Sequence, residues 1–171
     1  MNPHRMSPRR SALALVLFIA GIFSISAQEK PQCNIKVTLL QVNDVYQFAP
    51  VDQGKSGGLG RILTLTKSIR EKNPNTLFMM AGDTISPSVE SITYKGAQMI
   101  EAWNAIGLDY ATYGNHEFDF GPDVLQERVK ESKFSWVAAN VIDTRTNEPF
   151  GGAKRFVIRE FGGVKVGLFG L

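Results

Sequence analysis

The chain has 171 residues, of which 43% are hydrophobic and 20% charged, a composition that excludes a disordered, collagen-like or coiled-coil protein. Its formal net charge is +3, but Arg5, Arg9 and Arg10 and none of the 16 acidic residues precede residue 28. The rest of the chain is therefore neutral, which argues against a nucleic-acid partner. With one Cys and two His, a Cys-based zinc site and an internal disulfide framework are also excluded.

The first 27 residues have the three-part form of a secretory signal peptide. A basic stretch up to Arg10 is followed by an uncharged apolar run over residues 12–25 and then by small residues. This run is shorter than the roughly 20 residues that a membrane-spanning helix needs, so an uncleaved anchor is the less favoured alternative. We predict cleavage after Ser26 or Ala27, export to a periplasmic or extracellular location, and no stable membrane span after cleavage. Residues 28–34 are then a short linker, in which Cys33 is free or pairs outside this chain.

Strand and helix patterns alternate along the rest of the chain. Short apolar runs predict strands over residues 35–42, 76–81, 109–113 and 135–141. Apolar residues three and four positions apart predict helices over residues 58–72, 95–106 and 122–130. Two further runs joined at a Gly-Gly pair predict a hairpin over residues 154–161 and 164–171. Together these elements predict an α/β fold with a mainly parallel sheet and flanking helices.

Polar residues of metal-ligand type directly follow the first three predicted strands. Asp44 follows the first strand, Asp83 the second and Asn115 the third. Because the carboxyl ends of parallel strands lie along one edge of a sheet, these side chains can converge although they are far apart in sequence. Their oxygen atoms suit hard divalent ions, and the sequence therefore predicts a metal site at this edge.

Each of these residues taken alone has a more ordinary explanation. An Asp after a strand is most often a cap or turn residue, and Glu117 and Asp123 can be first-turn acids of a helix. A lone His is more often structural than catalytic. The run GNHEFD over residues 114–119 is more specific, because His116 can donate a proton to a departing oxygen while Asp119 fixes its tautomer.

At these residues the chain resembles the calcineurin-like metallophosphoesterases, in particular the exported 5′-nucleotidase and 2′,3′-cyclic-nucleotide phosphodiesterase family. The matching stretches are LLQVNDVYQF (39–48), GGLGR (57–61), AGDTISPS (81–88), YGNHEFDFG (113–121) and AANV (138–141). The similarity covers nearly all of residues 35–171. It implies that this segment is the N-terminal part of a metallophosphoesterase sandwich.

The resemblance also implies a centre of two divalent or mixed-valence metal ions, with Zn, Mn, Co or Fe as candidates. Asp83 would bridge both ions, Asp44 would bind one and Asn115 the other. His116, oriented by Asp119, would stabilise the transferring phosphoryl oxygens or protonate the leaving group. The implied reaction is hydrolysis of phosphate monoesters, with a nucleotide as substrate, by water activated at the metal centre.

The chain departs from the family pattern in two respects. The family's first motif usually reads Asp-x-His, but Tyr46 stands at the His position. Tyr46 either binds metal as a phenolate, for which ferric iron is better suited than zinc, or leaves that position to water. The family's three later His ligands have no counterpart, since His116 is the only His after the leader, and the chain ends inside the apolar run 164–171. We therefore expect a truncated domain with little or no activity of its own.

Two other functions stay open at the level of sequence. An esterase of the Gly-Asp-Ser type would need Thr84 to replace its Ser nucleophile, and no later Asp-x-x-His is present. A non-catalytic domain would keep the fold without a metal centre, and the metal content of the purified protein would distinguish it from a phosphoesterase.

Overall fold

The main sheet of the protein has four parallel strands. The structure is a computed structural model, and it describes residues 34–171. The strands lie side by side in sequence order: β1 (Thr38–Val42), β2 (Thr76–Ala81), β3 (Tyr110–Thr112) and β4 (Ser135–Trp136). Leu39 pairs with Leu77, and Met80 pairs with Ala111. The predicted α/β fold with a mainly parallel sheet is therefore confirmed.

Each connection between neighbouring strands of the sheet contains one or two α-helices. They are α1 (Leu59–Lys72) between β1 and β2, α2 (Val89–Tyr94) and α3 (Ala97–Ile106) between β2 and β3, and α4 (Pro122–Glu131) between β3 and β4. Crossovers between parallel strands are almost always right-handed, so a sheet in sequence order carries all its helices on the same face. Pro122 occupies the start of α4, where its missing N–H costs no hydrogen bond.

The hydrophobic core lies between these helices and one face of the sheet. Trp103 of α3 is fully buried and meets Phe78 of β2 edge-on, with ring centroids 5.9 Å apart. Burying a large apolar side chain stabilises the fold by about 1.5–3 kcal/mol. On the other face of the sheet Leu39 is 52% exposed, so β1 alternates between covered and uncovered side chains.

The structure differs locally from the predicted elements. Helix α2 was not predicted, because its six residues are too few to repeat an apolar pattern. The structure exposes Val89 and Ile92 of this helix to solvent. Strand β1 begins at Thr38 and not at residue 35. Strand β4 ends at residue 136 and not at 141, because the N–H groups of Ala138 and Ala139 donate to the carbonyls of Lys154 and Gly170 and not to β3.

The predicted hairpin near the end of the sequence is present. Two antiparallel pairs follow the sheet: β5 (Ile142–Asp143) with β6 (Glu148–Pro149), and β7 (Phe156–Phe161) with β8 (Val164–Phe169). None of the helices within residues 34–171 is long and apolar enough to cross a membrane. The predicted signal peptide, its cleavage site and Cys33 lie outside the described residues.

Candidate active site

The segments that follow β1, β2 and β3 meet at the carboxyl edge of the sheet. We call them the first, second and third segments (residues 43–48, 82–88 and 113–121). The Asp44 N–H donates to the Gly82 carbonyl over 3.1 Å, which joins the first segment to the second. The His116 N–H donates to Asp83 Oδ1 over 2.8 Å, which joins the second segment to the third. The structure thereby brings Asp44, Asp83 and the Asn115–His116 turn together.

Two of the candidate ligands have an unusual backbone conformation. Asp44 has a φ of 55° and Asp83 a φ of 64°, both in the left-handed region. Few residues other than glycine adopt these angles, although Asp tolerates them better than most. Conformations of this kind cluster at functional sites, where the surrounding structure imposes them. Their occurrence at two adjacent strand ends favours a functional role for both carboxylates.

Two glycines allow the second and third segments to come this close. A Cβ atom on Gly114 would lie 2.6 Å from Cγ of Asp83, and a Cβ atom on Gly82 would lie 2.8 Å from the backbone N of Gly114. Both distances are shorter than van der Waals contact. Any side chain at these two positions would therefore force the segments apart or displace the Asp83 carboxylate.

The Asp44 carboxylate accepts a hydrogen bond at each oxygen. The Tyr46 hydroxyl donates to Oδ1 over 2.6 Å, and the Asn43 amide donates to Oδ2 over 2.5 Å. The Tyr46 hydroxyl is the main reason that the pKa of Asp44 lies below its ordinary value, and the same bond raises the pKa of the Tyr46 phenol. Tyr46 is thus a neutral donor here, and its proton would have to leave before its oxygen could bind a metal.

His116 and Asp119 form a hydrogen-bonded pair at the surface. His116 Nδ1 lies 2.7 Å from Asp119 Oδ2, and the Ser86 hydroxyl donates to the same oxygen. The Ser86 hydroxyl and then His116 lower the pKa of Asp119, while the bond to Asp119 raises the pKa of His116. The Tyr46 ring meets the His116 ring edge-on, with centroids 5.7 Å apart. Because Nδ1 is engaged, Nε2 is the nitrogen left for a ligand.

Glu117 has a role that the sequence did not reveal. It lies in a 3-10 turn (His116–Phe118), yet its side chain is buried and accepts hydrogen bonds from the N–H groups of Asp83, Thr84 and Gly114. Burial raises the pKa of Glu117, and the three N–H groups act in the opposite direction. Asp123 and Glu117 were both expected to be first-turn acids of a helix. Asp123 lies in the first turn of α4 as expected, whereas the main contacts of Glu117 are with N–H groups of the second segment.

Thr84 is fully buried, which excludes the esterase alternative. Its hydroxyl donates to the Val45 carbonyl over 2.9 Å and accepts a hydrogen bond from Trp103 Nε1 over 2.9 Å. A nucleophile must be accessible to its substrate and close to a base. Thr84 is inaccessible, and its hydroxyl is engaged by a carbonyl and an indole and not by a base, so the interpretation of Gly82-Asp83-Thr84 as an esterase motif is wrong.

The oxygen donors at this edge fit a hard divalent cation, although they are few. Among residues 34–171, no three His, Cys, Asp or Glu side chains are grouped so as to hold one metal ion. Asp83 uses Oδ1 for the His116 N–H, and its Oδ2 makes no hydrogen bond within the described part of the chain. Asn115 is exposed, and its carboxamide likewise has no hydrogen-bond partner there. Carboxylate and amide oxygens of this kind suit hard divalent ions, with water at the remaining positions.

Comparison with known proteins matches residues 37–164 to the family described as calcineurin-like phosphoesterase. A human 5′-nucleotidase is 33% identical over 117 residues, which cover 62% of this chain and 20% of the human protein. The NAD nucleotidase structure from Haemophilus influenzae superposes with a TM-score of 0.71 at 26% identity, covering 80% of this chain and 26% of that one. A 5′-nucleotidase precursor from Thermus thermophilus gives a TM-score of 0.70 at 29% identity, covering 79% and 28%. The chain thus spans less than a third of the length of these proteins.

Proposed function

The chain belongs to the calcineurin-like phosphoesterase family, and on this premise we propose that it serves the metal-dependent hydrolysis of phosphate monoesters. The observation that carries the proposal is the meeting of Asp44, Asp83 and the His116–Asp119 pair at one edge of the sheet. Phosphoryl transfer depends mainly on positioning and on neutralising negative charge. Metal ions held by these oxygen ligands, together with a cationic His, would supply that positive charge. Relatives named 5′-nucleotidase support nucleotides as the substrates.

Asp44, Asp83 and Asn115 are the proposed ligands of two metal ions, with Asp83 shared between the two. When bound, Zn, Mn, Co or Fe ions would supply positive charge against the phosphoryl oxygens and activate water as the nucleophile. Tyr46 is a further candidate ligand, for ferric iron above all, and it would first have to lose the proton that it donates to Asp44.

His116 is the proposed acid, which delivers a proton from Nε2 to the leaving oxygen. The bond from Nδ1 to Asp119 orients the ring and raises the pKa of His116, so the ring stays protonated to a higher pH. General acids of this kind contribute about 10²–10⁴-fold to a rate. The same cation can instead stabilise the transferring phosphoryl oxygens, and Nε2 provides the charge in either role.

The 171-residue chain is proposed to have little activity by itself. Shared between two ions, Asp44, Asp83 and Asn115 leave most coordination positions to water, and His116 is engaged with Asp119. Weakly held ions have a poorly fixed spacing, on which the activation of water depends. The relatives are several times longer than the segment that they share with this chain, which is consistent with further ligands elsewhere in those proteins.

The test is the release of phosphate from AMP in the presence of Mn²⁺, Co²⁺ or Zn²⁺. The chain is compared with a longer version that includes any coding sequence downstream of Leu171, each with an Asp83→Ala control. We expect metal-dependent release by the longer version, little by the chain, and almost none by either Asp83→Ala variant. Equal rates for both lengths would refute the low activity of the chain, and release that Asp83→Ala leaves intact would refute the metal site. A purified longer version with neither metal nor turnover would favour the non-catalytic alternative.

We also propose that the protein is exported by means of residues 1–27. The basic stretch, the apolar run and the small residues after it support this proposal. N-terminal sequencing of the exported protein should begin at Ala27 or Gln28. An exported protein that retains residues 1–10 would contradict the cleavage.

A further inference from the structure

One buried carboxylate joins the second and third segments. Glu117 is 1% exposed, and three backbone N–H groups donate to it. Its Oε2 accepts from Asp83 over 2.8 Å and from Gly114 over 2.6 Å, while its Oε1 accepts from Thr84 over 2.7 Å. Hydrogen bonds to an ionised acceptor are short and about twice as strong as those between neutral groups. Glu117 therefore fixes the backbone of Asp83 and the beginning of the third segment at once.

Asp83 forms the same kind of connection in the opposite direction. Its Oδ1 accepts the N–H of His116 over 2.8 Å. Glu117 of the third segment thus holds the backbone of Asp83, and Asp83 of the second segment holds the backbone of His116. A shift of either segment changes both connections, so the Asp83 carboxylate and the His116 backbone cannot move independently.

Thr84 extends this connection to the first segment. Its N–H is bonded to Glu117, and its buried hydroxyl donates to the carbonyl of Val45, which lies between two candidate ligands in sequence. The indole N–H of Trp103 donates to the same hydroxyl, and the Trp103 side chain is fixed within the core. All three segments are therefore tied to Glu117 either directly or through one residue.

We propose that Glu117 is a positioning residue that sets the Asp83 carboxylate and His116 relative to one another, and that Thr84 transmits the same positioning to the first segment. The inference rests on the proposed function, since this geometry matters only if the cluster hydrolyses phosphate esters. A residue that merely stabilises the fold could be changed without loosening the hydrogen bond from the His116 N–H to Asp83, whereas a positioning residue could not. This difference makes the two roles separable by experiment.

Glu117→Gln retains the size of the side chain but replaces one acceptor oxygen with an amide donor. At least one of the three N–H groups then loses its acceptor. In ¹H–¹⁵N spectra of the full chain without metal, we expect the amide signals of Asp83, Thr84 and Gly114 to shift. The His116 amide should also exchange faster with solvent, because its N–H donates to Asp83 Oδ1. A change of its chemical shift alone would follow from its position next to Glu117 in the sequence. Unchanged signals from the β7–β8 hairpin would show that the fold is intact.

Binding of Mn²⁺ to the same proteins is the second measurement. Changing a residue that orients a metal ligand typically weakens metal binding by about 10–100-fold, and we expect a loss in this range for Glu117→Gln. An unchanged exchange rate of the His116 amide would overturn the inference, and so would an unchanged Mn²⁺ affinity if the wild type binds Mn²⁺. If the wild type binds no Mn²⁺, the proposed metal site fails, while the His116 amide still decides the positioning role.

A matched pair at Thr84 keeps the inference testable if Glu117→Gln does not fold. Thr84→Val preserves the shape without the hydroxyl, and Thr84→Ser preserves the hydroxyl. We expect Thr84→Val to move the indole signal of Trp103 and the amide of Tyr46, which shares a peptide group with the Val45 carbonyl. Thr84→Ser should restore both signals. Identical spectra for the two variants would show that the hydroxyl does not hold the first segment, and that part of the inference would be wrong.

Discussion

Replacing Gly114 with Ala tests the close approach of the second and third segments. The φ of Gly114 lies outside the left-handed region, so alanine meets no backbone strain there. Its new Cβ atom would lie 2.6 Å from Cγ and 3.0 Å from the backbone N of Asp83. The effect of this variant therefore comes from steric overlap with a single residue, which is a candidate metal ligand.

Two opposing contributions determine the stability of Gly114→Ala. Reduced freedom of the unfolded chain stabilises the variant by about 0.4–1 kcal/mol. Overpacking by an extra carbon destabilises it by about 1–3 kcal/mol. The net loss should lie between about 0 and about 2.6 kcal/mol, centred at about 1.3 kcal/mol. The overlap is relieved most directly by displacing the Asp83 carboxylate. A displacement of about 1 Å can reduce activity about 10²-fold.

Gly60→Ala is the matched control. Gly60 lies in α1, and a Cβ atom there would have no heavy atom within 4 Å. This variant should gain up to about 1 kcal/mol, because glycine is unfavourable within a helix. Urea unfolding gives both stabilities, and Mn²⁺ binding reports on Asp83. If Gly114→Ala matched Gly60→Ala in both measurements, the reasoning from the Gly114–Asp83 contact would be refuted.

Two further predictions concern the side chains around His116. Tyr46→Phe should raise the pKa of Asp44 towards its ordinary value, since the Tyr46 hydroxyl is the main cause of its lowering; NMR titration of the carboxyl group measures this. If Tyr46 binds ferric iron, the holoprotein should show a visible charge-transfer band that Tyr46→Phe lacks. If the active protein is colourless and Tyr46→Phe is equally active, Tyr46 is not a metal ligand. Asp119→Asn should lower the pKa of His116 towards 6.5. Because the pKa of His116 is raised in the folded wild type, the His116–Asp119 pair stabilises the fold fully below pH 6.5, and this stabilisation is lost as the pH rises through the folded pKa. In urea unfolding, the part of the stability difference between wild type and Asp119→Asn that comes from this pair should therefore shrink as the pH rises above 6.5. An identical His116 titration in both proteins would contradict the assigned cause.

The sheet was predictable because each element carries its signal in consecutive residues. β2 is a continuous apolar run, and α3 repeats apolar residues every three or four positions, so both patterns depend only on local sequence. Helix α2 has only six residues and is too short to repeat such a pattern. The end of β4 depends on hydrogen bonds to Lys154 and Gly170, partners that no local pattern can indicate.

The candidate site was predictable to the extent that it depends on strand ends. Asp44 and Asp83 directly follow strands, and parallel pairing is sufficient to bring such residues to one edge. The role of Glu117 was not predictable in this way. Glutamate is rarely buried without a partner, and the partners of Glu117 are backbone N–H groups that leave no trace in side-chain spacing. Only the folded arrangement of the Asp83, Thr84 and Gly114 N–H groups shows why a carboxylate fits there.

The backbone conformation of Asp44 and Asp83 does not by itself explain why these positions carry carboxylates. A non-glycine residue in a left-handed conformation costs on the order of 1 kcal/mol or more, whereas glycine adopts the same angles freely. The conformations persist because the N–H of Asp44 is bonded to Gly82 and the N–H of Asp83 is bonded to Glu117. Both bonds involve backbone N–H groups, which glycine would also provide. The backbone conformation alone would therefore favour glycine at both positions. The two residues are explained by what their carboxylates contact: Tyr46 and Asn43 at Asp44, the His116 N–H at Asp83, and the metal ions proposed above.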